Sequence, residues 1–113
     1  MARKPLPSRA AASPVPAALE RLARLAAAGT TPDRLVREAL RIVAEWQADL
    51  ELDAAALRER LELLRDDLAA GVADAAEQAG DVDQSDKAAA RQANSTLRAL
   101  QAVHDAVAAE LRG

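Results

Sequence analysis

Three observations predict an all-α or nearly all-α fold. Of 113 residues, 31 are Ala and 16 are Leu, both strong helix formers, against seven Val and one Ile. Apolar residues recur at helical spacing along most of the chain from residue 16. The prolines are confined to positions 5, 7, 14, 16 and 32, ahead of or at the start of those apolar stretches. The predicted architecture is a short helical hairpin followed by longer amphipathic helices.

Residues 1–15 read as a basic flexible arm, because four prolines by position 16 prevent a regular helix. Pro16 suits the first turn of a helix running to about Ala28, with Leu19, Leu22 and Leu25/Ala26 as its apolar stripe. Gly29 stops it. Thr31-Pro32-Asp33 starts the second helix: Thr31 is a good N-cap, Pro32 fits the first helical position, and Asp33 favours the positive helix end. Its wide apolar face holds Val36, Leu40, Val43 and Leu50 on one edge and Leu35, Ala39, Ile42 and Trp46 on the other. These two helices make a unit over residues 16–50. Arg34, Arg37 and Arg41, three and four apart, form one basic ridge.

A third helix lies within residues 51–79, and Asp53 can cap it. Leu57, Leu61, Leu64, Leu68 and Val72 repeat at spacings of four, three, four and four, a seam for another helix. The pattern leaves open whether the second and third helices merge. Residues 80–86 read as a hinge. A last helix in 87–113 places Leu97, Leu100, Val107 and Leu111 on one side.

The net charge of −3 hides a dipolar chain. Residues 1–41 carry eight Lys/Arg against three acids, and residues 42–113 carry seven against fifteen. A polyanion suits the first part; a basic or apolar surface suits the second. A core of mainly Ala and Leu is light, so packing against another copy or a partner is the expected source of stability. With no Cys, disulfides and thiolate metal sites are excluded, which fits a cytoplasmic protein. No apolar run is long enough to cross a bilayer. The first 19 residues lack acids and contain Arg and Ser, as organelle transit peptides do, but their prolines break the amphipathic helix such a peptide needs.

Catalysis finds little to work with, and the chain reads as a non-enzyme with no cofactor. The one histidine, His104, falls between Leu100 and Val107 as an edge residue of an apolar seam. Asp66 and Asp67 point about a hundred degrees apart on a helix, so they cannot share a proton. Asp81-x-Asp83-x-Ser85 imitates the start of a calcium loop, but Asp86 stands where glycine is needed and Gln92 where glutamate is needed.

Three segments carry a resemblance. Val15-Pro16-Ala17-Ala18-Leu19-Glu20-Arg21-Leu22, then Gly29-Thr30-Thr31, then Leu35-Val36-Arg37-Glu38-Ala39-Leu40-Arg41 resemble the two helices of ribbon-helix-helix DNA-binding proteins over about residues 15–46. Leu61 to Gly71 is similar to the segment that follows this domain in ParD-type antitoxins. The resemblance implies a dimer in which each chain gives one strand to an antiparallel ribbon, read into the DNA major groove, while a later segment wraps a toxin. The strand then occupies roughly residues 9–14, and Ala10, Ala12 and Pro14 match the family's base-reading positions. Alanine has no side-chain hydrogen bond to offer a base edge, and Pro14 lacks a backbone donor.

The leading expectation is a small dimeric DNA-binding regulator of antitoxin type. Arg3, Lys4 and Arg9 of the arm, with Thr31, Arg34 and Arg37 at the helix start, contact duplex DNA mainly at phosphates. Leu19, Leu22, Leu35, Val36, Ala39, Leu40, Ile42, Val43 and Trp46 form the dimer core. Leu57, Leu61, Leu64, Leu68 and Val72 bind a cognate toxin or other basic protein. No membrane partner is expected. The alternatives are a helical bundle or coiled-coil interaction module without nucleic acid, and a plasmid partition or relaxosome accessory.

Overall fold

The computed structural model describes residues 13–113. They form four helices: α1 (Val15–Ala27), α2 (Pro32–Gln47), α3 (Ala54–Asp81) and α4 (Lys87–Arg112). No strand occurs among the described residues. Positions 9–12 of the expected strand lie outside them, as do Arg3, Lys4, Arg9, Ala10 and Ala12; Pro14 is the N-cap residue of α1 rather than part of a ribbon.

Local chemistry sets each helix end. α1 closes in a Schellman turn. Gly29 takes φ +92°, its N–H donates to the Ala26 carbonyl at 3.1 Å, and the Thr30 N–H donates to the Leu25 carbonyl at 3.1 Å. Thr31 Oγ1 accepts from the Arg34 N–H at 3.4 Å, so the cap foreseen for α2 is made. Asp53 Oδ1 accepts from the Ala56 N–H at 2.8 Å and caps α3; Asp86 Oδ1 accepts from the Ala89 N–H at 3.1 Å and caps α4. α2 and α3 are thus separate helices. α2 ends at Gln47, and Asp49 Oδ1 accepts from the Glu51 N–H at 2.9 Å in the connection. Leu50 therefore leaves the apolar edge assigned to it and is 99% exposed.

The helices alternate in direction. The end of α1 meets Gln92 and Thr96 near the start of α4, while Arg58 near the start of α3 donates to the Leu111 carbonyl at the end of α4, at 3.1 Å. Val15 shares a groove with Ala56, Glu59 and Leu63, so α1 and α3 run the same way; Pro32 lies beside Arg91, so α2 and α4 do too. The result is an up-down-up-down bundle. α4 packs on all three other helices, most extensively on α3.

One core runs through the bundle. α1 gives Val15, Ala18, Leu22 and Ala26; α2 gives Leu35, Ala39, Ile42, Val43 and Trp46; α3 gives Leu61, Leu64, Leu68 and Ala75; α4 gives Ala99, Leu100, Val103, Val107 and Leu111. No polar or charged side chain is buried among the described residues. Two groups of expected contact residues fall inside this core. Leu22, Leu35, Ala39, Ile42, Val43 and Trp46, assigned to a dimer core, are already covered by the chain's own α3 and α4, with Leu19 and Val36 packed against the same core. Leu40 stays partly exposed. Leu61, Leu64 and Leu68, assigned to a protein partner, are buried in this core, and Leu57 and Val72 pack against it. Their neighbour is α4, because antiparallel stacking lets two long apolar stripes of one chain cover each other.

Candidate charged binding surfaces

The expected arginine ridge of α2 divides in two. Arg41 is drawn out of it: Nη2 lies 2.6 Å from Glu38 Oε2 and Nε 3.1 Å from Glu38 Oε1, and Nη1 also bonds Glu45. Arg21 of α1 donates from Nε to Glu38 Oε2 at 2.6 Å. Glu38, its side chain only 18% exposed, is therefore clasped by two guanidinium groups. Hydrogen bonds from Arg41 and then Arg21 hold its pKa down to about 2. The same bonds push the Arg41 pKa up. This cluster is neutralised and ties α1 to α2.

Arg34 and Arg37 are different. Both are exposed, and neither has an acidic partner among the described residues. Thr31 stands beside them, but its side-chain oxygen is engaged as the helix cap.

The linear split of charge does not survive folding. The acids concentrate in α3 and its flanking turns: Asp49, Glu51, Asp53, Glu59, Glu62, Asp66, Asp67, Asp74, Glu77, Asp81, Asp83 and Asp86 lie between α2 and α4, against Arg58, Arg60 and Arg65. α4, counted within the acidic part of the sequence, is basic: Lys87, Arg91, Arg98 and Arg112 against Asp105 and Glu110. Arg91, Asn94, Ser95 and Arg98, three and four apart, lie on one side of α4 and with Pro32 line an open notch at the start of α2. Sequence reasoning missed these residues because it summed charge along a segment instead of around a helix.

The other candidate groups fall into structural places. His104 is partly buried, with Nδ1 3.1 Å from Asp105 Oδ1. Asp66 pairs with Arg65 at 3.0 Å. Asp83 accepts from both the hydroxyl and the N–H of Ser85, at 2.7 and 2.9 Å, and these bonds lower its pKa. No group of three or more His, Cys, Asp or Glu side chains converges as a metal would need among the described residues. No described helix is long and apolar enough to cross a membrane. Arg60 of α3 lies 5.4 Å above the ring of Trp46, a cation–π contact that bridges α2 and α3. No family model, curated protein or solved structure matches the chain.

Proposed function

We propose that the protein is a non-enzymatic binding module that holds duplex DNA at its phosphates through Arg34 and Arg37, together with Arg3, Lys4 and Arg9 of the arm. One observation carries this reading: Arg34 and Arg37 face outward at the first turns of α2 without acidic neutralisation, while Arg21 and Arg41 are consumed by Glu38. Exposed arginines near a helix N-terminus suit phosphate, since the dipole adds to the side-chain charge. The helix, glycine turn, Thr cap and helix of residues 15–47 also keep the order on which the likeness to ribbon-helix-helix regulators rests. In this reading a second copy is not needed to bury the stripes of α1 and α2. A basic protein partner of the antitoxin kind would meet the acidic outer face of α3, not its leucine seam.

Duplex binding that falls steeply between about 50 and 200 mM salt is the expected result, because contacts to phosphate release counterions. R34E/R37E should abolish it with helicity unchanged. Absence of binding by the unmodified protein at the lower salt would remove the reading. A second reading, a helical interaction module without nucleic acid, is favoured by the exposed Leu50 and the half-exposed Leu63 near the start of α3. Under it, partner capture would survive R34E/R37E and fail in L50S/L63S.

A further inference from the structure

The reading above leaves the basic side of α4 without a role. Arg91 and Arg98 are seven residues apart, two helical turns or about 10 Å along the axis. Asn94 and Ser95 stand between them on the same side. Together they present two guanidinium forks, a carboxamide and a hydroxyl to one open notch, closed at its edge by Pro32. Among the described residues neither arginine has an acidic partner, and no hydrogen bond engages the Asn94 or Ser95 side chain. A notch lined by four donor side chains, with no carboxylate in its lining, favours an anion. Forked N–H donors match the tetrahedral oxygens of phosphate, and a lone carboxylate would leave most of these donors unused. Asp33, directly after Pro32, is the acid adjacent in sequence to the lining and opposes an anion there.

We infer that Arg91, Asn94, Ser95 and Arg98 form a phosphate-binding site at the start of α2, which carries the nucleic-acid surface from the second helix onto the last one. The inference rests on the nucleic-acid reading for the source of the phosphate, a phosphodiester of duplex DNA. It makes α4 a positioning surface for the backbone and not a reader of bases.

The test compares the full chain with R91Q/R98Q, N94A/S95A, D33N and R34Q/R37Q, all exposed or partly exposed sites, with circular dichroism confirming equal helicity. A labelled duplex is titrated by fluorescence anisotropy between about 50 and 200 mM salt. R91Q/R98Q should weaken binding about tenfold at the lower salt, and the magnitude of the slope of log K against log salt should fall by about one, for the one phosphate whose counterions are no longer displaced. N94A/S95A should weaken binding with the slope unchanged, and D33N should tighten it. If R91Q/R98Q binds as the unmodified protein does while R34Q/R37Q loses affinity, the α4 site is overturned and the α2 reading stands. If the unmodified protein binds no duplex, the α2 reading falls, and inorganic phosphate titrated into nitrogen-15-labelled protein decides the site alone. Shifts confined to residues 91–98 and lost in R91Q/R98Q uphold a small-anion site; no shifts overturn it.

Discussion

Arg21 and Glu38 sit seventeen positions apart in the chain yet share a 2.6 Å hydrogen bond, and Arg41 donates to both oxygens of the same carboxylate. Two arginines of the front segment are therefore structural, and the surface available to a polyanion is smaller than the charge count implies.

The pH dependence of this cluster follows from Glu38. Its pKa is depressed from 4.5 to about 2, so its contribution is fully present above about pH 4.5 and is lost as pH falls toward 2. Both arginines are half exposed, which keeps the contribution on the order of 1 kcal/mol. Urea midpoints of the native chain and E38Q should differ by a constant amount above pH 5 and converge near pH 2. Parallel curves through that window would contradict the clasp.

Leu64 is fully buried between helices, so Leu64→Ala should cost about 2–5 kcal/mol in a urea titration. Leu50→Ser should leave the midpoint unchanged, since that side chain is 99% exposed. A seam reserved for a partner would give the opposite ranking: L64A stable but unable to bind.

Two glycines predict opposite signs. Gly29 has φ +92°, and Gly29→Ala forces a side chain into the left-handed region at about 1–2 kcal/mol. Gly71 is helical, and a Cβ there meets nothing within 4 Å. Gly71→Ala should raise stability by about 0.5–1 kcal/mol. Thermal melts of the two variants should move in opposite directions.

Trp46 is the single tryptophan and is 7% exposed, so its fluorescence reports on the bundle directly. Arg60→Ala should lower stability by about 0.5–1 kcal/mol and alter the emission of the folded state. Identical folded spectra would place Arg60 away from the ring.

What was legible in the sequence was local. Thr31, Asp53 and Gly29 announce helix ends because capping is decided within four residues, and the structure has those ends. The leucine seam of α3 was equally plain, but an apolar stripe does not say whose helix covers it. The structure covers Leu61, Leu64 and Leu68, expected to meet a partner, within the chain's own core. Leu50 was misplaced because helical spacing was continued past Gln47, where the chain turns. Arg41 looked identical to Arg37 because its neutralisation depends on Arg21 and Glu38 meeting across the α1–α2 hairpin. The α4 arginines were hidden because the acids of α3 and its flanking turns were summed with them, although residues 87–104 contain no acid.

The final helix completes the core of the other three, and Gln92 and Thr96 lie against the terminal carbonyls of the first. During synthesis the leucines of the first three helices emerge ahead of their cover. At about 5–20 residues per second the delay lasts on the order of seconds. For that interval the nascent polypeptide offers chaperones a sticky, half-built intermediate, and loss of the C-terminal segment would make that vulnerable state permanent.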